Sequence, residues 1–221
     1  MSQQAPAAEL YLITPENFDL DEFSSQFSDI IDKTPVSCLQ IRLPEADEEL
    51  YSKYINKLAP LAHAKDIAVL LCDRADLVIK FDLDGVHLEN DPSEANVKNV
   101  RELIGQDRSI GISAKNSLHT AMVAGEAGAD YVSFGPLFPS PTKGMPAEEG
   151  VKECLTAWAL SMELPCVAIG GLTIDNVDTA LETGAEFIAP ISGIWHAEQS
   201  PISAAATLHE KCVNFSQRTL A

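Results

Sequence analysis

GADYVSFGPLFPSPTKG, residues 128–144, joins a short apolar strand to a proline-stiffened polar loop. A turn glycine opens it, a short apolar strand follows through Tyr131, Val132 and Phe134, and Gly135-Pro136 breaks the strand. The loop beyond carries two hydroxyls and an amine, Ser140, Thr142 and Lys143. Pro139 and Pro141 restrict φ beside them and stiffen the loop. A cationic amine among hydroxyls, on a loop leaving a buried strand, suits a phosphate or diphosphate. The same residues also fit an ordinary strand-to-helix loop with a solvent-facing lysine, so the flanking chain has to decide.

Downstream, helical spacing over 148–162 leads to an apolar strand at 166–169 that ends in Gly170-Gly171. Thr173 is placed to cap a helix running to Glu182, a strand over 187–191 ends at Ser192-Gly193, and a last helix covers 203–211. Upstream, apolar runs at 10–13, 36–42, 67–72, 85–88 and 109–113 read as five more strands. Helical patterns at 21–32, 45–64, 77–79 and 96–104 separate them, and a helix to Ala127 with Asn116 as its N-cap precedes the opening stretch. The run IAVLLC at 67–72 is apolar throughout, as expected of a strand buried on both faces. Eight short strands alternating with helices predict a single closed (β/α)8 TIM barrel over 9–221, preceded by a loose tail at 1–8. An open doubly wound sheet fits less well, because no GxGxxG follows the first strand.

Composition agrees with one α/β domain: 221 residues, 46% hydrophobic, with no Gly/Ser-rich linker to divide them. The balance of 33 acidic against 15 basic side chains gives a net charge of −18, which argues against nucleic acid or an anionic membrane as partner. An anionic substrate would need a local site where amides and a few cations outweigh that field. The five cysteines are scattered without a CxxC, as free buried thiols in a reducing compartment would be. With no signal-like N-terminus and no run of 18 apolar residues, the expected location is cytoplasmic. A homo-oligomer is left open.

In a barrel of this kind the active site lies at the C-terminal ends of the strands. Gln40 and Arg42 fall after the second strand, Asp73 after the third, Asp91 after the fourth and Ser113 after the fifth. Ser140, Thr142 and Lys143 follow the sixth, Gly170-Gly171 the seventh, and Ile191, Ser192 and Gly193 the eighth. Paired glycines let backbone N–H groups approach an anion, and a phosphate site built by the last two loops recurs in this fold. Arg42 and Lys143, across the mouth, would hold a second anion, with Asp73 and Asp91 as Mg²⁺ ligands beside its phosphates. Two anion sites facing each other point to the joining of two phosphorylated molecules.

The segments LYLIT, LQIR, CDRADL, DGVHL, GADYVSFGPLFPSPTKG, VAIGGLTIDNV and PISGI resemble, in order, those of thiamine-phosphate synthases and their thiazole tautomerase relatives, over residues 9–197. The resemblance implies a (β/α)8 enzyme that joins a hydroxymethylpyrimidine diphosphate to a hydroxyethylthiazole phosphate with Mg²⁺, releasing pyrophosphate. It gives Gln40 to the pyrimidine, Arg42, Ser113 and Lys143 to the diphosphate, and Asp73 to Mg²⁺. Ser140 and Thr142 stand for a Thr-x-Thr, and Gly171, Ile191 and Ser192 face the thiazole phosphate.

Three departures gather on the diphosphate side. The family's QxRxK reads QIRLP here, so Pro44 stands in place of a cation. Its Asn-Asp-Arg reads Cys72-Asp73-Arg74, and its HLGQxD reads HLENDP, with Pro92 where a metal carboxylate is expected. Pro136 follows Gly135 where the tautomerases carry a histidine nearby, so tautomerase chemistry has no support. The competing readings are a working synthase, a related barrel enzyme acting on a small phosphate ester, and a non-catalytic phosphate-binding protein.

Overall fold

A computed structural model describes residues 7–44, 46–140 and 144–218. Eight parallel strands close into one barrel in sequence order. They are β1 (Glu9–Ile13), β2 (Cys38–Ile41), β3 (Ala68–Cys72), β4 (Gly85–Leu88), β5 (Ser109–Lys115), β6 (Tyr131–Phe134), β7 (Cys166–Ile169) and β8 (Phe187–Ala189). The ring is sealed where Glu9 and Leu10 pair with Phe187 and Ile188. The helices are α1 (Leu20–Ile31), α2 (Glu48–His63), α3 (Ala75–Lys80), α4 (Glu94–Ile104), α5 (Leu118–Glu126), α6 (Val151–Ser161), α7 (Val177–Leu181), α8 (Ser192–Trp195) and α9 (Pro201–Arg218). Among the described residues no helix is long and apolar enough to cross a membrane.

The two-residue period of each strand sorts its side chains into two cores. Leu10 and Leu12, Leu39 and Ile41, Val86 and Leu88, and Val132 and Phe134 pack outward against the helices. The alternate residues Tyr11, Ile13, Cys38, Leu70, Tyr131 and Val167 fill a second cluster inside the barrel. Gly111 makes room there for a large ring: a Cβ on it would lie 1.9 Å from Tyr131 Cζ. The same alternation sends Gln40, His87, Ser113 and Ser133 inward near the strand ends, where the mouth opens.

Several boundaries differ from those predicted, each for a local reason. Asn116 is not the cap of α5: Ser117 Oγ accepts from Thr120 N at 3.1 Å, while Asn116 Nδ2 donates to the Glu149 carbonyl. Thr173 does not start α7, because the Asn176 side chain holds the turn that precedes it, accepting from Thr173 N and donating to the Gly171 carbonyl. Ser192 and Gly193 belong to α8 and not to a strand end, and Trp195 Nε1 ties that short helix to the Ile13 carbonyl at 2.8 Å. The predicted tail falls mostly on residues 1–6, outside the described residues.

Candidate active site

At the C-terminal end of the barrel lies a cavity of about 240 Å³. From one side it is lined by Gln40, Arg42 and Ser113, and from the other by Ser140, Gly170, Gly171, Ile191 and Ser192. These are eight of the residues proposed from sequence, contributed by the ends of five different strands and the segments that follow them. Gly193 stands off the cavity lining, its Cα facing the Leu172 carbonyl, where a Cβ would approach to 2.2 Å. Thr142 and Lys143 lie outside the described residues, though Ser140 and Met145, on either side of them, exchange backbone hydrogen bonds and both line the cavity.

The floor is a buried polar chain. Tyr11 OH donates to Gln40 Oε1 at 2.9 Å and lies 2.8 Å from Tyr131 OH, which in turn meets His87 Nδ1 at 2.9 Å. Because Tyr11 has one proton and gives it to Gln40, Tyr131 must donate to Tyr11 and accept from His87. Gln40 Oε1 is thereby occupied, and among the described residues no protein acceptor meets its Nε2, leaving an N–H donor on the cavity floor. Burial, followed by mutual repulsion with Tyr131, pushes the Tyr11 phenol well above its ordinary pKa, and burial does the same to Tyr131, so both phenols stay neutral.

The wall from β7 and β8 is mostly backbone. Gly170 and Gly171 have φ of +100° and +62°, and the loop after β6 packs directly on them. A Cβ on Gly170 would lie 2.3 Å from Pro136 Cα, and one on Gly171 2.3 Å from the Pro139 carbonyl oxygen. Leu137 N and Phe138 N donate to the carbonyls of Ile169 and Gly170, so these two loops are stitched together. The glycines are therefore required for loop packing as well as for any approach by an anion.

The opposite wall is built of charged side chains. Arg42 donates through Nε to Glu89 Oε2 at 2.9 Å and through Nη1 to Glu16 Oε1 at 3.0 Å. Burial would lower the pKa of Arg42, but Glu89 and then Glu16 more than offset it, holding the guanidinium charged. Neither carboxylate was singled out from sequence. Glu89 sits where the resembling motif has glycine, and it also receives the Cys72 thiol at 3.5 Å, so two of the sequence departures touch each other. A second cavity of about 310 Å³ lies beyond, lined by Pro44, Cys72, Asp73 and Glu89 among others. Burial, with Asp73 and Glu89 nearby, raises the Cys72 pKa and keeps the thiol protonated, unsuited to nucleophilic attack.

The two proposed metal carboxylates are separated by role. Asp73, at φ +52°, accepts from Glu89 N and Asn90 N on Oδ1 and from Asn90 Nδ2 on Oδ2. That leaves limited but real lone-pair capacity on a hard oxygen donor beside the second cavity. The Asp91 carboxylate, by contrast, is exposed, accepts from Ser93 N within its own turn, and lines neither cavity. Among the described residues no three His, Cys, Asp or Glu side chains converge as a metal cage. Lys115, at the end of β5, lines the main cavity and was also missed.

A closed parallel barrel whose polar-floored cavity opens at the C-terminal ends of its strands has the architecture of the (β/α)8 enzymes. Comparison narrows this. The family model described as thiamine monophosphate synthase matches residues 10–194. The thiamine-phosphate synthase of Rhodospirillum centenum is 41% identical over 89% of this chain and 94% of its own. That of Hyphomonas neptunium is 40% identical over 92% and 93%. A solved structure of thiamine phosphate pyrophosphorylase from Pyrococcus furiosus superposes with a TM-score of 0.78 at 26% identity, covering 94% of this chain and 96% of that one. The chain belongs to the thiamine monophosphate synthase family and is an enzyme of the transferase class.

Proposed function

We propose that this chain joins a hydroxymethylpyrimidine diphosphate to a hydroxyethylthiazole phosphate, giving thiamine phosphate and pyrophosphate. The observation that carries the proposal is the gathering of Gln40, Arg42, Ser113, Ser140, Gly171 and Ser192 around one cavity in a chain of this family. In the reaction, the bond between the pyrimidine methylene carbon and the diphosphate oxygen breaks with its electron pair leaving on oxygen. The thiazole nitrogen then supplies the pair for the new C–N bond.

Within that reading the residues divide by wall. The Gln40 amide donates to a ring nitrogen of the pyrimidine, its orientation set by Tyr11. Ser113, Arg42 and Lys143 face the diphosphate, and Ser140 and Thr142 supply hydroxyls to the same loop. The amides around Gly171, Ile191 and Ser192 hold the thiazole phosphate. Such groups act chiefly by positioning the two reactants and by stabilising charge on the leaving group, the two effects that carry most phosphate-ester catalysis. Mg²⁺, when bound, would neutralise charge on the leaving diphosphate, and Asp73 would hold it, in keeping with the one or two carboxylates this ion uses beside substrate phosphates.

The direct test is incubation of the purified protein with both substrates and Mg²⁺, following thiamine phosphate by chromatography and pyrophosphate release in the same samples. Stoichiometric appearance of both products is the expected result. Saturable binding of thiazole phosphate without product would move the chain to the binding-protein reading.

A further inference from the structure

The cation that sequence logic assigns to the second anion, Arg42, is already matched by two carboxylates, Glu16 and Glu89. An incoming diphosphate would meet a local balance of one positive and two negative charges there. Lys115 is the contrasting case. It is exposed, lines the same cavity, and among the described residues forms no ion pair and no side-chain hydrogen bond.

Its backbone gives a second, independent observation. Lys115 has φ +54°, a left-handed conformation that is costly for a residue with a side chain and that favours glycine or asparagine. It is reached through an irregularity in the β5–β6 ladder, where the register passes from Ser113–Ser133 to Lys115–Phe134. Bulges of this kind next to active sites re-aim a side chain. The Lys115 carbonyl accepts from Gly135 N at 3.0 Å, so the distorted strand end is clamped against the loop that leads to Ser140. A strained position that only needed to turn the chain would be served best by glycine, and lysine there points to a use for the charge.

We infer that Lys115 is a diphosphate-binding cation of this mouth, supplying from β5 the positive charge that Pro44 removes after β2. The identity of the anion rests on the function proposed above; the role of Lys115 as an anion-binding residue is tested separately from it.

The experiment is calorimetric titration of inorganic pyrophosphate, in Mg²⁺ buffer, into wild type and the variants Lys115→Gln, Lys115→Arg and Lys115→Gly, with thiazole phosphate as a second titrant. Losing one charge-assisted contact should weaken pyrophosphate binding about tenfold or more in the Gln and Gly variants. The Arg variant should stay within about threefold of wild type, since it keeps the charge. Thiazole phosphate affinity should be unchanged in all three, and Lys115→Gly should melt no lower than wild type because it relieves the left-handed strain. Unchanged pyrophosphate affinity in the Gln and Gly variants, equal weakening of both ligands, or a wild type that does not bind pyrophosphate would each overturn the assignment. Product formation with a Lys115-independent pyrophosphate affinity sinks this inference alone. Lys115-dependent pyrophosphate binding without product sinks the coupling reaction alone.

Discussion

The two walls of the mouth are made of different materials. The wall from β7 and β8 is backbone, locked by Gly170 and Gly171 against the loop after β6, with almost no room for change. The wall from β2 to β4 is side chain: Arg42 between Glu16 and Glu89, Cys72 against Glu89, Asp73 bracing the following turn. The three departures at Pro44, Cys72 and Pro92 all fall on the elements of the second wall. A site built from backbone is held by packing across several elements, so single replacements there break the fold. One built from side chains can be rewired by paired replacements such as Cys72 with Glu89.

The largest effect that tests this contrast concerns the cation read from sequence after β6. Lys143→Ala should reduce coupling by about a hundredfold or more, the usual consequence of removing one donor that stabilises charge on a leaving group. A lysine on a loop seldom contributes much to stability, so the melting temperature should hardly move. Equal turnover in wild type and variant would take Lys143 out of the chemistry.

On the backbone wall the expected effect is structural. Gly170→Ala adds a Cβ 2.3 Å from Pro136 Cα at a position with φ +100°. Strain in the left-handed region and the overlap together should cost about 3 kcal/mol or more, read as a large drop in the denaturation midpoint. A variant that melts like wild type would mean that the loop after β6 yields easily and that this wall is softer than argued.

A smaller effect compares the walls directly by binding. With Pro44, Cys72 and Pro92 standing for a cation, an amide and a carboxylate, thiazole phosphate or thiamine phosphate should bind more tightly than Mg²⁺-pyrophosphate. Contacts to charged groups contribute about 1.5–3 kcal/mol each, so a difference of tenfold or more is expected. Combining Pro44→Lys, Cys72→Asn and Pro92→Asp should narrow the gap. Tight pyrophosphate binding by the wild type, if it persists when Lys115 is neutralised, would show that the side-chain wall has replaced its lost partners by another route.

Much of the barrel could be read in advance because strand residues that face helices and those that face the interior alternate by one, and because loops at the mouth carry their polar residues close to strand ends. That rule brings Gln40, Ser113, Ser140 and Ser192 to one cavity lining. It does not reach Glu89, since a glutamate just beyond a strand looks like any solvated acid until Arg42 is seen beside it, 47 positions away in the chain. Lys115 escaped notice because the shift in the β5–β6 register carries the strand two residues past Ser113, where the strand was expected to stop. Gly193 and Asp91 were placed at the mouth by counting from strand ends, which cannot foresee that Ser192 starts a new helix or that Asp91 serves its own turn.

The smallest effect lies beneath both walls, in the polar chain that sets the Gln40 amide. Tyr11→Phe removes the proton that Gln40 Oε1 receives from Tyr11 and leaves Tyr131 OH without its acceptor. Losing a buried hydrogen bond and stranding its partner should cost about 1–3 kcal/mol in stability, because the amide and the phenol remain in the barrel with little water to replace what was lost. The effect on substrates should be selective. Gln40 can then turn its oxygen toward the cavity, which weakens recognition of a ring nitrogen but leaves the thiazole phosphate amides, on the far wall, untouched. The Michaelis constant for the pyrimidine diphosphate should therefore rise severalfold while that for the thiazole phosphate stays level. If both constants moved together, the tyrosines would be setting the shape of the whole mouth, and the walls would not be as independent as their construction suggests.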